Sequence, residues 1–219
     1  GILALNLGGG CFTGKGGVLD MPSNFRRVMT RPYADRQQWA AAILGPPCAT
    51  TLTVSDFPHL SENVSLATRL LTGARTGEAK GLNILLHGPV GTGKTELAKA
   101  IASAAQCCVW SIGECDDDGG EPTRSQRIAA VRLAQRLLRR RDDAVLLVDE
   151  AEDVLASDRS DFALGSGTES KVFVNRLLEA QGPPVIWTAN QLRQFDPAFL
   201  RRMVLAIAVP EPPAPVRQK

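Results

Sequence analysis

Residues 82–95 read Leu-Asn-Ile-Leu-Leu-His-Gly-Pro-Val-Gly-Thr-Gly-Lys-Thr. A short apolar run ends at a glycine-rich turn, and Gly88, Gly93, Lys94 and Thr95 satisfy the spacing G-x-x-x-x-G-K-[ST]. The residues that follow, Glu96 to Ala105, have helix-forming composition, with Leu97, Ile101 and Ala104 spaced for one buried face. The stretch therefore predicts a strand, a phosphate-binding loop and a helix in succession.

The chemistry explains the spacing. A nucleotide's phosphates need several converging N–H donors, and side chains would block their approach, so glycine supplies both access and unusual backbone angles. Lys94 adds a point charge for the outer phosphates, Thr95 offers a hydroxyl to Mg²⁺, and the helix turns its positive end toward the anion. Pro89 stiffens the turn. The expected contact residues are Gly88, Pro89, Val90, Gly91, Thr92, Gly93, Lys94, Thr95 and Glu96.

Working outward, the 219 residues suit one sizeable α/β domain or a smaller one with an N-terminal extension. Hydrophobic residues make up 44% and charged residues 22%, and a net charge of +2 gives no global reason to expect nucleic acid or a membrane. No apolar run approaches a membrane span, and the first residues lack a charged leader. Five cysteines, Cys11, Cys48, Cys107, Cys108 and Cys115, show no C-x-x-C spacing. They are expected to be buried, reduced thiols of a cytoplasmic protein.

Residues 1–50 are expected to form a partly flexible extension. Gly9 to Gly16 nearly copies the phosphate loop, but Gly16 replaces the hydroxyl residue, and Gly17, Pro22 and Ser23 oppose a following helix. It reads as a glycine-rich turn rather than a second nucleotide site. Short helices are expected over Asn24 to Met29 and Arg36 to Leu44, closed by Gly45-Pro46-Pro47. Arg26, Arg27, Arg31 and Arg36 read as a solvated face. A further helix, Ser61 to Leu71, carries Val64, Leu66, Leu70 and Leu71.

Beyond the loop and its helix, Cys107 to Ile112 predicts a second buried strand. Glu114, Asp116, Asp117, Asp118 and Glu121 then read as a hydrated acidic turn rather than a cation site. Thr123 to Arg141 predicts a basic helix with Ile128, Val131, Ala134 and Leu138 on its apolar face. Arg124, Arg127, Arg132, Arg136, Arg139, Arg140 and Arg141 surround the rest. Nucleic acid would suit such a helix, but a solvent-facing or inter-subunit role is the preferred reading.

The run Ala144-Val-Leu-Leu-Val-Asp149-Glu150 delivers two carboxylates to the C-terminal edge of a strand, where open α/β sheets bind ligands. Asp149 is expected in the Mg²⁺ shell. Glu150 is expected to activate a water for attack on the terminal phosphate. Ser157 to Glu169 has the composition of a mobile loop, and Ser170 to Ala180 that of a helix. Pro183 to Asn190 makes another strand, whose last residue, Asn190, either bonds the attacking water or begins a turn. Asp196 and Pro197 open a short helix that ends in Arg201 and Arg202, and the strand Met203 to Val209 follows.

Together these stretches resemble the AAA+ ATPases, over about Asp56 to Pro213. Gly-Pro-Val-Gly-Thr-Gly-Lys-Thr looks like the family's Walker A motif and Leu-Leu-Val-Asp-Glu-Ala-Glu-Asp like its Walker B motif. Thr188-Ala189-Asn190 resembles sensor 1, and Asp196-Pro-Ala-Phe-Leu-Arg-Arg resembles the arginine-finger region. The resemblance implies a three-layer P-loop NTPase sandwich whose five-stranded parallel sheet runs in the order 5-1-4-3-2. It places residues 51–213 in the nucleotide-binding domain, with 214–219 as a tail and the helical lid outside this chain. It further implies ATP with Mg²⁺ at the sheet edge, and a homo-oligomeric ring, often hexameric in the family. Thr95 and Asp149 would serve the metal, Glu150, Lys94 and Asn190 would be catalytic, and Arg201 or Arg202 would act in trans, with Arg202 preferred. Around Asp56 to Leu60 the family cradles adenine.

The expected function is MgATP hydrolysis that drives remodelling of a macromolecular partner. Two alternatives are an ATP-controlled binding switch with little turnover and a DNA-linked loader or motor. The loop after the second strand lacks the aromatic, apolar, glycine triplet with which many relatives grip a threaded polypeptide.

Overall fold

The computed structural model describes residues 32–33, 36–77, 81–112, 120–155, 174–193 and 195–211. The Gly9 to Gly16 turn, the Asn24 to Met29 helix, the acidic residues Glu114 to Asp118, the Ser157 to Glu169 loop and the tail after Glu211 lie outside them.

Among the described residues five strands, β1 (Asn83–His87), β2 (Cys108–Ser111), β3 (Ala144–Val148), β4 (Val185–Ala189) and β5 (Leu205–Ala208), pair in parallel. Their order is β2-β3-β4-β1-β5, the expected 5-1-4-3-2 read from the other side. The phosphate-loop strand β1 thus sits between β4 and β5. Each chain segment that leaves a strand must climb over one face before re-entering in parallel, so both faces are covered and the central strands are mostly apolar. β3 and β4 are buried along their whole length.

Side-chain alternation divides the strands between two cores. Ile84, Leu86, Val109, Val145, Leu147 and Ile186 point to the face covered by α2 (Ser61–Arg75) and α3 (Lys94–Ala104). On the opposite face, Leu85, Trp110, Leu146, Val148 and Trp187 pack with Val131 and Ala134 of α4 (Arg124–Leu137) and with Leu177 and Leu178 of the helical residues 174–178. The result is the three-layer sandwich.

The helix α1 (Arg36–Leu44) joins the second core through Ala40. The chain then passes the β2 edge, where Cys48 N–H donates to the Val109 carbonyl at 2.7 Å, and Phe57 and Leu60 enter the first core. Part of the segment before residue 51 therefore covers an edge strand whose backbone groups would otherwise be open to pairing.

Several helix faces differ from expectation. On α3, Leu97, Ala98, Ile101 and Ala102 are buried, but Ala104, the last residue of the helix, is exposed. On α2 the buried set is Val64, Ala67 and Leu71, a stripe of period three to four, while Leu66 is 43% exposed. α4 begins at Arg124 under a reciprocal cap. Gln126 N–H donates to Thr123 Oγ1, and the Thr123 N–H donates to Gln126 Oε1 at 2.7 Å. It ends at Leu137, short of the expected Arg141. Arg127 is only 7% exposed, so it belongs to the buried side and not to the solvated surround. Cys48, Cys107 and Cys108 are free but only half-buried, since β2 is the sheet edge. Burial pushes the Cys107 thiol up to about 11. No helix among the described residues is long and apolar enough to cross a membrane.

Asn83 is a polar group built into the core. The Asn83 amide donates to the Leu178 carbonyl at 2.8 Å, and its oxygen accepts from Trp187 Nε1 at 3.0 Å, tying β1 to β4 and to the 174–178 helix. Asn83→Leu would leave the indole N–H and a carbonyl unpaired in a dry site, and should lower unfolding free energy by about 2–4 kcal/mol in urea titrations.

Candidate nucleotide-binding site

Everything expected to handle phosphate collects at the C-terminal ends of β1, β3 and β4. β1 ends at His87, whose carbonyl accepts from Val209 N–H at 2.7 Å, while Gly88 N–H donates to the Ala189 carbonyl at 3.1 Å. The chain is so tightly held between its two neighbours that a Cβ on Gly88 would lie 2.1 Å from the Val209 carbonyl oxygen. Glycine is required there by contact. Gly91 and Gly93 serve a different need, since φ is +79° and +83° and a Cβ on Gly91 would meet nothing within 4 Å. They open the turn and leave its concave side clear.

α3 starts directly from this turn, so its free N–H groups face the loop. Lys94 is 7% exposed and its ammonium donates to the Gly88 and Pro89 carbonyls at 2.9 and 2.8 Å. Burial pulls its pKa below the usual lysine value, while the nearby Asp149 and Glu152 carboxylates pull it back up. The Thr92 hydroxyl donates to the Pro89 carbonyl at 3.0 Å and pins the loop from inside. Val90 stands out at 80% exposure. Glu96 is engaged elsewhere: Thr50 donates to it at 2.5 Å and Lys99 at 2.7 Å, and these two bonds, Lys99 first, hold its carboxyl below the ordinary range. The Phe57 ring edge approaches the Gly93 turn, where a Cβ would lie 3.8 Å from it.

Asp149 ties the strands together. The Thr95 hydroxyl donates to its Oδ2 at 2.7 Å, and the Thr188 hydroxyl donates to its Oδ1. Glu150 N–H points to the same group, 3.2 Å from Asp149 Oδ1 and 3.3 Å from Thr188 Oγ1. Glu150 itself adopts φ +51°, a left-handed conformation that costs a non-glycine residue about 1–2 kcal/mol. Its side chain is exposed and makes no hydrogen bond among the described residues. Asn190 also reaches this edge. Its N–H donates to Glu152 Oε1, which accepts from Gln191 N–H at 3.0 Å as well, and the Asn190 amide makes no bond among the described residues.

Sequence reasoning named Thr95, Asp149, Glu150 and Asn190 but missed Thr188, Glu152 and Arg127. Thr188 was a polar residue in an otherwise apolar strand, and Glu152 was one more acid in an acidic run. Arg127 donates to the Asp149 and Glu150 carbonyls and to Asp153 Oδ2, the last at 2.9 Å. A signal was present, because Arg127 lies four residues before Val131 and shares its apolar face.

At the far end, Asp196 accepts from Ala198 N–H at 2.9 Å and Pro197 opens the short helix α5 (Pro197–Leu200), as expected. The two arginines that follow differ. Arg202 donates through Nε and Nη2 to Glu179 at 2.8 and 2.6 Å and through Nη1 to the Ala198 carbonyl. Arg201 is exposed, and its guanidinium makes no bond among the described residues.

A cradle with open space inside a turn, backbone N–H groups at a helix start and a buried ammonium fit a polyphosphate. The hydroxyl of Thr95 beside the Asp149 carboxylate is a hard oxygen set of the kind that Mg²⁺ takes. No group of three or more His, Cys, Asp or Glu side chains that could hold a metal occurs among the described residues.

The family model for the ATPase family associated with various cellular activities (AAA) matches residues 84–211. The chain belongs to the AAA family of ATPases. Among its relatives, the proteasome-activating nucleotidase of Aeropyrum pernix is 36% identical over 141 residues, covering 59% of this chain and 33% of that one. Human fidgetin-like protein 1 is 30% identical over 158 residues, covering 68% and 22%. The chain thus spans about a third or less of the length of these relatives. In solved structures the AAA fold recurs at 20% identity in a katanin self-assembly structure, with TM-score 0.57 over 86% of this chain and 64% of that one. It recurs also in the FIGL-1 AAA domain in complex with ADP, with TM-score 0.50 over 71% and 55%.

The two kinds of glycine in this AAA loop should separate on mutation. Gly91→Ala meets only backbone strain and should cost about 1 kcal/mol. Gly88→Ala must displace Val209 and should cost at least about 3 kcal/mol, read as a lower urea midpoint at unchanged m.

Proposed function

We propose that this domain binds MgATP and hydrolyses it to ADP and phosphate, in a homo-oligomer whose subunit contacts couple turnover to remodelling of a macromolecular partner. The observation that carries the reading is the convergence on Asp149: hydroxyls from the loop helix and from β4 meet its carboxylate, and Glu150 projects from the very next residue.

In this reading the backbone N–H groups from Val90 to Thr95 hold the β- and γ-phosphates, and Lys94 exchanges the Gly88 and Pro89 carbonyls for phosphate oxygens. Thr95 and Asp149 would hold Mg²⁺, which when bound neutralises charge on the phosphates. Glu150 accepts the proton of an attacking water, and Asn190, whose backbone is fixed by Glu152, directs its amide at that water or the terminal phosphate.

The trans arginine is better assigned to Arg201 than to Arg202, because Glu179 and the Ala198 carbonyl already occupy the Arg202 guanidinium. An exposed guanidinium beside a short helix is free to reach a neighbour's nucleotide, a contribution of order 10³–10⁵ in rate where it is used. Relatives whose names refer to nucleotidase activity and to the proteasome accord with an ATP-driven partner of this type.

Two measurements test the reading. Glu150→Gln should keep ATP affinity while turnover falls by at least about 100-fold; full turnover in that variant would sink the mechanism. Specific activity should rise with protein concentration, and Arg201→Ala should abolish that rise more completely than Arg202→Ala.

A further inference from the structure

We propose that Arg127 is a positioning residue for Glu150: it clamps the backbone of the turn that aims the carboxylate, and so sets turnover without touching nucleotide. The inference rests on the role given to Glu150 above.

Glu150 has nothing else to aim it. Its carboxylate makes no hydrogen bond among the described residues, so its direction follows from its backbone alone. That backbone is in the left-handed region at φ +51°. A residue held there must be over-determined by its surroundings. Two sources are visible. From the strand side, Glu150 N–H is held by Asp149 Oδ1 and Thr188 Oγ1. From the helix side, one guanidinium reaches two successive carbonyls: Arg127 Nη2 donates to the Asp149 oxygen and lies 3.5 Å from that of Glu150. The peptide between the two carboxylates is thereby gripped on both sides.

Arg127 suits this work by chemistry and by place. Its fork can address two carbonyls and a carboxylate at once, whereas an ammonium offers a single point. Nη1 pairs with Asp153 at 2.9 Å, which offsets the burial of the charge. Nε is buried with no partner among the described residues, so the side chain is committed to the turn at the expense of its own remaining donor. A neighbour acts in the same direction: Arg124 Nε donates to the Val154 carbonyl at 3.3 Å, so the first turn of α4 holds the 149–155 segment at two points. A displacement of α4 would accordingly reach Glu150 through the backbone.

The test uses the full chain with Arg127→Lys, Arg127→Gln and Asp153→Asn, each checked by thermal melting. With Mg²⁺ and ATP, Arg127→Lys should lower kcat by about 10- to 100-fold while KM changes less than about threefold, because misaiming a base costs rate and not phosphate binding. Asp153→Asn, at an exposed carboxylate, should lower kcat by about threefold with KM unchanged. An unchanged kcat in Arg127→Lys, or kcat and KM worsening together with a lowered melting temperature, would overturn the proposal. Hydrogen exchange on nucleotide-free protein gives a reading independent of turnover. The peptide 149–153 should exchange at least about tenfold faster in Arg127→Lys, with β3 protection unaltered. Unaltered exchange there overturns the clamp, whereas a wild-type chain without ATPase activity but with faster exchange in the variant overturns only the hydrolytic reading.

Discussion

The carboxylate of Asp149 accepts hydroxyls from two elements that are remote in sequence, Thr95 at the start of the loop helix and Thr188 near the end of β4. Around this charge the start of the loop helix and the ends of β3 and β4 are held together at the C-terminal edge of the sheet. A carboxylate has about four acceptor sites and no donor, so it can collect N–H and O–H groups from several directions at once. The same group that gathers the hydroxyls also receives the Glu150 N–H, and the strained turn begins there. Geometry and charge are therefore supplied together: the feature that aligns the strands is the one suited to a cation.

Beneath that edge the sheet is held by alternation. Successive side chains enter opposite cores, and burial of both faces removes the polar positions that would otherwise mark a strand. Asn83 and Thr188 are exceptions, and the Asn83 amide joins the 174–178 helix to Trp187 inside an apolar layer. Satisfied buried polar groups of this kind favour a single register over its neighbours, because any slip would orphan both partners. At the other end of β1, just past His87, Gly88 is pressed against Val209, so the loop leaves the sheet in one direction only. Stability of the sheet and shape of the loop are consequently one problem.

Much of the fold was legible because its signals are local. Asp196 and Pro197 announced a helix start, and the structure puts both where a cap and a first turn need them. Periodicity was less reliable where apolar residues lie all round a helix: Leu66 was grouped with Val64 and Leu71 but faces water, since α2 leans on the sheet through Ala67 instead. Small residues permit the close approach, and a pattern that weighs large side chains overlooks them. Arg127 was misread for a related reason. An arginine on a basic helix reads as solvated until something buried and electron-rich is known to lie beneath it.

What the sequence alone determined is the chemistry of the phosphate cradle and the order of the elements that carry it. Residues 88–95 are contiguous, and their glycines, lysine and threonine specify a loop through backbone freedom and local hydrogen bonding. Tertiary structure decided everything that depends on residues meeting across the sheet. Thr95 reaches Asp149 over 54 positions, Thr188 over 39, and Arg127 reaches the Asp149 carbonyl over 22. It also separated Arg201 from Arg202, because Glu179 lies 23 positions upstream and pairs with only one of them. Such contacts are set by the twist and register of packed strands, and no window of sequence contains them.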